Sequence, residues 1–452
     1  MKIRHRPSLI TLIVVTLVSL HSAFAQLAQQ QSKLVGTGGS GTGYQGSSVA
    51  LSANGNTAIV GGAYDQRGQG AAWIWTRRTG VWQQQSGKLV GSEVNGFTDY
   101  QGWSVGLSAD GDTAIVGGQY SEGAWVWTRK GDTWTQQGSK LTGSGATGSA
   151  SQGFSVALSA DGNTAIVGGL YDDEVPTLGG WQTVGVGAAW VWTRTAGLWT
   201  QQGPKLVGSG FVGDGADQGY SVAISADGNT AIVGGPTDGA VLLSIPSLPP
   251  SRGAVWVWTR SGGVWTQQGP KVVASDDGDS RQGIAVALSG DGNTALVGGY
   301  AQYGGVGAAW VWTRSGEVWT QQSKLVGSGA GGLANQGASV ALSADGNTAI
   351  VGGFGDHGNA GAAWVWTRSG GVWTQQPGKI FGADAVGSAL QGTSVSLSGD
   401  GKTAIVGGPG DNHAAGAAWV FSPVPPRRRA TTHESHGISE RPSTACSPAA
   451  VR

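Results

Sequence analysis

The chain has 452 residues, with 27 basic and 27 acidic side chains, 83 glycines, 21 tryptophans and one cysteine. Zero net charge offers no basic surface for nucleic acid, an apolar content of 39% is too high for a disordered chain, and a single cysteine cannot build a disulfide framework. The length allows two or three ordinary domains or one large closed β architecture.

The N-terminal segment has the composition of a secretory signal peptide. Lys2, Arg4 and Arg6 precede an apolar run over residues 9–20, and Ala23-Phe24-Ala25 stands before Gln26. We therefore predict that residues 1–25 are cleaved and that the protein is secreted or extracellular, with the cell surface included. An uncleaved anchor helix is the alternative. Nothing comparable follows, so we expect no membrane span in the mature chain.

The mature chain consists of repeats. A segment close to Gln-Gly-x-Ser-Val-Ala-Leu-Ser-Ala-Asp-Gly-Asn-Thr-Ala-Ile-Val-Gly-Gly recurs seven times, and each copy is followed by Gly-Ala-Ala-Trp-Val-Trp-Thr-Arg and Val-Trp-Thr-Gln-Gln. Such a period is typical of a solenoid or a propeller. The first glycines of the copies are Gly46, Gly102, Gly153, Gly219, Gly283, Gly337 and Gly392.

Each repeat predicts four short strands. In the first copy these are residues 48–52, 57–60, 71–76 and 81–85, because apolar residues alternate there and Asn54-Gly55 forms a turn. No stretch of the mature chain has a convincing apolar period of 3.6 residues. We therefore expect almost no helix.

The two ends of the chain predict a closed ring. The seventh copy stops at Phe421 without a fourth strand, whereas residues 27–34 match the fourth strand at 81–89. An N-terminal strand that completes the last blade removes the exposed sheet edges. We predict an all-β fold: a seven-bladed β-propeller of four-stranded blades over 26–423, closed by the N-terminal strand. The polar tail, 424–452, has the composition of a disordered segment.

The recurring tryptophans and arginines have a structural interpretation. Trp190, Trp192 and Trp199 match Trp310, Trp312 and Trp319, and recurrence in the blades favours packing over an aromatic platform for carbohydrate. Equivalent arginines around a ring cannot converge on one anion, so we expect each to end a strand in solvent. They are Arg77, Arg129, Arg194, Arg260, Arg314 and Arg368.

The repeat resembles the FG-GAP repeat of integrin α-chain propellers. Gln45-Gly46 and its equivalents occupy the Phe-Gly position, and Gly234-Gly235-Pro236 and Gly407-Gly408-Pro409 occupy the Gly-Ala-Pro position. The resemblance covers residues 26–423 and implies a propeller used for extracellular adhesion or ligand binding. Many FG-GAP blades carry a Ca²⁺ loop, but residues 159–164 offer one carboxylate, Asp161, in a turn too short for six to eight oxygen ligands. We predict a plain hairpin turn there, no metal and no cofactor.

The residues that catalysis would need are sparse. The propeller body contains two histidines, His357 and His413, and no Gly-x-Ser-x-Gly elbow between a strand and a helix. We therefore predict a protein that is not an enzyme. The alternative is a secreted hydrolase or lyase that uses acidic loop residues at the channel mouth.

Two sets of connections vary in length: those from strand two to strand three, and those from strand four to strand one of the next copy. Because strand direction alternates, both sets lie on one face of the ring. Variable insertions on one face often mark the binding face of a repeat protein. We predict a monomer that binds an extracellular protein or a glycan there, and no nucleic acid. A purely structural surface protein is a further alternative, as are loops 170–186 and 236–252 folded over the channel as a lid. The candidate partner-binding residues in these loops are Asp172, Asp173, Glu174, Trp181, Leu242, Leu243, Ile245 and Leu248.

Overall fold

The computed structural model describes residues 26–93, 98–176, 183–240, 251–275, 280–300 and 305–423. The predicted signal peptide and the C-terminal tail lie outside these residues. The described chain forms seven four-stranded antiparallel sheets and one two-stranded hairpin. We number the sheets as blades 1 to 7 in the order of their first strands.

The first two strands of each repeat form the inner half of each blade. The innermost strands contact one another from blade to blade around a central channel, blade 7 against blade 1 included. They are Gln45–Leu51, Gln101–Leu107, Ser155–Leu158, Ser221–Ile224, Ala285–Leu288, Ser339–Leu342 and Ser394–Leu397. The second strands are Thr57–Gly62, Thr113–Gly118, Thr164–Gly169, Thr230–Gly235, Thr294–Gly299, Thr348–Gly353 and Ala404–Gly408.

The third and fourth strands form the outer half. The third strands are Ala71–Arg78, Ala124–Lys130, Ala188–Thr195, Ala254–Ser261, Ala308–Ser315, Ala362–Ser369 and Ala417–Pro423. The outermost strands are Val81–Leu89, Thr133–Gln136, Leu198–Gln201, Val264–Gln267, Val318–Leu325, Val372–Gln375 and, in blade 7, Leu27–Gln29. The predicted all-β, seven-bladed propeller is therefore confirmed.

The N-terminal strand closes the ring as predicted. Leu27–Gln29 pairs antiparallel with Ala417–Pro423, and Gln29 lies opposite Phe421. The continuous ladder is shorter than the predicted strand at 27–34, and a single bridge between Leu34 and Ala418 resumes the pairing. Leu27 and Leu34 are buried in the last blade and in its junction with blade 1.

The first tryptophan of each third strand is fully buried, which confirms the packing interpretation of these residues. The indole Nε1 of Trp190 donates to the carbonyl oxygen of Ser144 at 2.9 Å. A Cβ at Gly143 would lie 2.2 Å from this ring, so the connection approaches the indole at a distance that only glycine allows. The seven equivalent side chains are Trp73, Trp125, Trp190, Trp256, Trp310, Trp364 and Trp419.

The prediction that the third-strand arginines end in solvent is wrong. In blade 3, Arg194 donates to Asn163 Oδ1 at 2.9 Å and to Gln137 Oε1 at 3.0 Å. Its guanidinium lies 5.3 Å from the ring centroid of Trp199, whose indole donates to the same Gln137 oxygen. Because Gln137 belongs to blade 2, this group joins adjacent blades. The equivalent arginine–glutamine pairs are Arg77–Gln30, Arg129–Gln85, Arg260–Gln202, Arg314–Gln268 and Arg368–Gln322.

The connections differ between the two faces of the ring. On one face, Asp161 closes a tight hairpin by accepting from Ser159 Oγ at 2.6 Å and from the Asn163 amide at 2.9 Å, as predicted. On the other face lie the variable connections, which contain the hairpin of Glu174–Pro176 and Thr183–Gly185 and three one-turn helical segments. These segments are Asp65–Gly68, Asp356–Asn359 and Asp411–Ala414. Throughout the described ranges, no helix has the length and apolar character needed to cross a bilayer.

Candidate functional site

The narrow part of the channel is stabilised by a ring of serine hydrogen bonds. The serine that follows Gln-Gly-x donates its hydroxyl to a glycine carbonyl of the next blade, as Ser155 Oγ does to Gly219 O at 2.7 Å. Ser394 and Gly46 form the same bond across the closure at 2.8 Å. Blade 5 carries Ala285 at this position and lacks the bond. The other donor–acceptor pairs are Ser48–Gly102, Ser104–Gly153, Ser221–Gly283 and Ser339–Gly392.

Above this ring the channel widens into a cavity of about 430 Å³, which we call the mouth. The residues that line it follow the second strands or lie just before or at the beginning of the first strands, so the mouth opens on the face of the variable connections. Its lining is mostly aromatic. The lining residues are Tyr44, Ser47, Tyr64, Trp103, Phe154, Tyr220, Ile284, Tyr300, Ala338, Phe354, Thr393 and Pro409.

Seven of these residues occupy one position of the repeat, the x of Gln-Gly-x-Ser. That position holds Trp103, Phe154 and Tyr220 in blades 2 to 4, but Ser47 and Ala338 in blades 1 and 6. Blades 1 and 6 form the same four-stranded sheet with a small residue there, so the fold does not require an aromatic residue at this position. The repeat pattern does not point to this position, because its residues do not recur from copy to copy. The useful signal was the opposite one: a position inside the constant segment at which large aromatic residues appear in only some copies.

Four tyrosines form a continuous row on blades 1 and 2, which we call the tyrosine ribbon: Tyr44, Tyr64, Tyr100 and Tyr120. Neighbouring ring centroids lie 4.7, 4.9 and 5.6 Å apart in that order. Tyr44 and Tyr64 line the mouth, and Tyr120 at the far end is 50% exposed. The ribbon therefore extends from the mouth onto the variable-loop face.

A second aromatic group lies across the mouth from blade 2 to blade 4. The rings of Trp103 and Phe154 are 5.5 Å apart, and those of Phe154 and Tyr220 are 4.9 Å apart. Tyr300 and Phe354 form a perpendicular pair at 5.8 Å on blades 5 and 6. Aromatic pairs of this geometry are attractive, so the rings hold one another in place before any ligand binds.

Burial disfavours the ionised form of three tyrosines that line the mouth. Desolvation raises the pKa of Tyr64, Tyr220 and Tyr300 above the ordinary value for a phenol, and the nearby tyrosines and Asp217 add to the effect at Tyr220. Within the described chain, the hydroxyls of Tyr44 and of these three residues make no hydrogen bond to protein. Each is therefore a donor and an acceptor available to a ligand.

Asp217 is the carboxyl group with a raised pKa beside the mouth. It is 6% exposed and accepts a 3.0 Å hydrogen bond from the Gly185 amide. Burial raises its pKa to about 6, although that hydrogen bond and the charge of Arg281 both favour the ionised form. Asp217 does not line the cavity itself.

The residue before each Gln-Gly adopts a left-handed backbone. The glutamine that follows is buried, and in blade 3 Gln152 accepts from the Gly143 amide and donates to the Gly143 carbonyl. The same bidentate contact to a glycine fixes the end of the connection in the other blades except blade 5, where Gln282 accepts from the Ala274 amide and donates to Ser280 Oγ. The seven left-handed residues are Tyr44, Tyr100, Ser151, Asp217, Arg281, Asn335 and Leu390, with φ between 48° and 55°.

The candidate partner-binding residues are only partly described. Asp172 is fully buried and pairs with Lys205 while accepting from the Thr147 amide at 2.9 Å, so it is inaccessible to a partner. Asp173 is partly exposed and lies 3.1 Å from the same lysine. Glu174 begins the hairpin strand, and its side chain lies outside the description. Trp181, Leu242, Leu243, Ile245 and Leu248 lie outside the described residues.

The role of Asp172 recurs in other blades. An aspartate three residues after Gly-Gly pairs with a lysine near the end of the outermost strand or just after it. The carboxylate thereby joins the two variable connections of the blade. The sequence analysis missed this recurrence. The equivalent pairs are Asp65–Lys88, Asp238–Lys271, Asp356–Lys379 and Asp411–Lys33.

No metal cluster is evident in the described ranges, where no three His, Cys, Asp or Glu residues come together in a way that could hold an ion. His357 lies in the blade 6 connection, 3.1 Å from Asp356 and 2.8 Å from Lys379 Nζ. His413 lies in the equivalent segment of blade 7.

Seven four-stranded sheets around one channel define the chain as a seven-bladed β-propeller. By sequence it matches no protein-family model and no curated protein. Its fold is similar to the WD40 repeats of RRP9, with a TM-score of 0.53, 11% identity and coverage of 88% of this chain and 99% of that one.

Two further solved structures show the same likeness. U3-55K matches with a TM-score of 0.52 and 11% identity over 88% of this chain and 98% of its own. A chain of Kuenenia stuttgartiensis hydrazine synthase matches with a TM-score of 0.50 and 15% identity over 87% and 98%. At these identities the likeness establishes the propeller fold alone.

Proposed function

We propose that this protein is a secreted, non-enzymatic binding propeller that takes an extracellular protein or glycan at the mouth, on its variable-loop face. One observation carries the proposal: the mouth is lined by Trp103, Phe154 and Tyr220 at a repeat position where other blades fold with Ser47 or Ala338. Large aromatic residues that the fold does not need, gathered around one cavity, are typical of a ligand site.

The repeat pattern supports an extracellular role. Gln-Gly opens the innermost strands and Gly-Gly-Pro ends the second strands of blades 4 and 7, the positions that correspond to the FG-GAP motif. We propose that the chain is an FG-GAP-like propeller. The signal-peptide pattern of residues 1–25 supports export.

The rival, a hydrolase or lyase, has one observation in its favour. Asp217 has a pKa raised to about 6, and perturbed carboxyl groups near a cavity are candidate general acids. Paired-carboxylate catalysis needs a partner within about 5–10 Å, and among the described residues the lining of the mouth includes no Asp or Glu. Turnover in a panel of glycoside and ester substrates that disappears in Asp217→Asn would favour the rival.

The proposal is tested by changing the mouth without changing the ring. We expect Trp103→Ala to weaken capture of ligands found by screening the mature protein against glycan arrays and extracellular-matrix proteins, by at least about tenfold, which corresponds to 1.4 kcal/mol. Circular dichroism and the melting temperature check that the propeller remains folded. Phe381→Ala is the matched control, because Phe381 is an exposed aromatic residue that does not line the mouth.

The long loops are tested in parallel. Replacing residues 170–186 or 236–252 with the short connection at 119–122 removes the predicted loop contacts and leaves the lining of the mouth. If the loop variants lose binding and Trp103→Ala retains it, the binding site lies in the loops and not in the mouth. Unchanged binding in every variant would contradict the proposal.

A further inference from the structure

We infer that the mouth and the tyrosine ribbon together form an extended site for a neutral oligosaccharide, with its terminal ring in the mouth and the following rings along the ribbon. The inference rests on the proposed function and names the ligand class of the same site. The aromatic residues of this site are distinct from the recurring first tryptophans of the third strands, which are packed inside the blades.

The charge of the site favours a neutral ligand. In the described chain, the twelve residues that line the mouth include no Asp, Glu, Lys, Arg or His. A charged ligand would lose water there without gaining an opposite charge, and burial of an unpaired charge is strongly unfavourable. Asp217 and Arg281 lie beside the mouth, where the charge of Arg281 also acts on Tyr220 and Tyr300. Because these two opposite charges act on each other and Asp217 is buried against the Gly185 amide, they compensate one another and favour no net charge on the ligand.

The polar groups of the site favour a ligand covered with hydroxyls. Tyr44, Tyr64, Tyr220 and Tyr300 place phenol groups around the mouth, interleaved with the apolar rings of Trp103 and Phe354. Each phenol donates and accepts as a sugar hydroxyl does, and the raised pKa values of Tyr64, Tyr220 and Tyr300 further disfavour their ionised forms. A pyranose ring also has an apolar C–H face that can stack on an aromatic ring. A ligand without hydrogen-bonding groups would leave these phenol hydroxyls without partners.

The shape of the site favours a chain over a single ring. The mouth of about 430 Å³ continues along Tyr64 and Tyr100 to Tyr120, with ring spacings of 4.9 and 5.6 Å. Tyr64 and Tyr120 are 39% and 50% exposed. A run of partly exposed rings that leads away from a cavity matches a linear ligand that enters by one end.

The experiment measures affinity against chain length. The neutral probes are cello-oligosaccharides and N-acetylated chito-oligosaccharides, from mono- to hexasaccharide, within an array of neutral glycans. Oligogalacturonates are the charged counterparts, and a neutral peptide rich in proline and tyrosine is the peptide probe. We expect neutral glycans to bind and their affinity to rise with length. Tyr64→Ala should weaken every length by about tenfold, whereas Tyr120→Ala should weaken only the longer chains.

Matched variants separate stacking from hydrogen bonding and from misfolding. Tyr120→Phe should retain most of the binding if the ring stacks, and Phe381→Ala should bind like the unchanged protein. Failure of all neutral glycans, a preference for oligogalacturonate, or affinity independent of length would overturn the inference. If the peptide binds and Trp103→Ala abolishes that binding, the oligosaccharide inference is wrong but the proposed function stands. If a probe binds and no variant of the mouth alters its binding, both the inference and the proposed function are wrong.

Discussion

Ala285 interrupts a ring of hydrogen bonds that six serines extend around the channel. Each serine hydroxyl donates to a glycine carbonyl of the next blade at 2.7–2.8 Å. The Gly337 carbonyl occupies the equivalent position beside blade 5, where a Cβ on Gly298 would lie 2.1 Å from it. The methyl side chain of Ala285 cannot donate to it.

We expect Ala285→Ser to stabilise the protein, because it supplies the seventh hydrogen bond. One such bond contributes about 0.5–1.5 kcal/mol, which for a chain of this size raises the melting temperature by about 1–2 °C. Ser221→Ala is the reciprocal variant and should lower the melting temperature by a similar amount. If Ser221→Ala destabilises while Ala285→Ser changes nothing, the blade 5 carbonyl is not an equivalent acceptor.

Asp217 gives the native state a distinctive pH dependence. Its pKa is about 6 in the folded protein against 3.8 for the free group, so between about pH 4 and pH 6 the native state binds more protons than the unfolded state. Stability therefore falls as pH rises through this window, by about 3 kcal/mol for a shift of two pKa units, and is level above it. The lowered pKa values of the turn aspartates, such as Asp161 and Asp227, act in the opposite direction at lower pH.

We expect Asp217→Asn to remove this dependence. An asparagine keeps an oxygen that can accept from the Gly185 amide and carries no charge to desolvate. In urea denaturation at about pH 4.5 and pH 7.5, the variant should gain stability over the unchanged protein at both pH values, by about 2 kcal/mol more at the higher pH. An equal difference at both pH values would show that Asp217 does not titrate in this window.

At the scale of elements, the N-terminal strand performs several tasks with few residues. Leu27 and Leu34 are 5% and 2% exposed, Lys33 pairs with the buried Asp411, and Gln30 accepts from Arg77 of blade 1 at 2.9 Å. The segment therefore completes blade 7 and also joins it to blade 1 through the same arginine–glutamine contact that links the other blades.

Deletion of residues 26–34 should open the ring. The two buried leucines alone account for about 3–6 kcal/mol of apolar burial, and the edge of Ala417–Pro423 would be left unpaired. We expect a sharp fall in melting temperature and concentration-dependent aggregation in light scattering. Deletion of residues 424–452 serves as the control and should leave the melting curve unchanged. A chain that lacks 26–34 and melts normally as a monomer would contradict the closed ring.

At the scale of the whole molecule, the fold was predictable and the site was not. Apolar alternation and the Asp-Gly turns predict the strands, and the orphan segment at 27–34 predicts the closure, because each of these signals is local and repeated. The mouth is different: Trp103, Phe154 and Tyr220 look like ordinary strand residues in their own repeats and meet only where seven innermost strands converge.

Asp172 was predicted to be an accessible loop residue, whereas it is fully buried. An acidic residue in a long variable loop indicated a solvent-exposed contact, yet its spacing after Gly-Gly is that of Asp65, Asp238, Asp356 and Asp411, and each of them pairs with a lysine. The prediction for the arginines at the ends of the third strands was wrong for a similar reason, because their glutamine partners lie 44–58 residues away in the neighbouring blade. Contacts between blades cannot be derived from one repeat alone.

The left-handed residues before each Gln-Gly have a consequence for protein engineering. Tyrosine, serine, aspartate, arginine, asparagine and leucine all adopt the same backbone at these positions, although a left-handed conformation costs a non-glycine residue about 1–2 kcal/mol. In every blade the glutamine that follows the left-handed residue accepts a hydrogen bond from a backbone amide of the connection before it. This contact accompanies the left-handed geometry whichever side chain precedes the glutamine. Ser151 and Asp217 are buried, whereas the other five residues are partly exposed. These five positions on the rim of the channel are thus grafting points on one fixed frame, and a randomised library at their codons would sample new specificities without redesign of the scaffold.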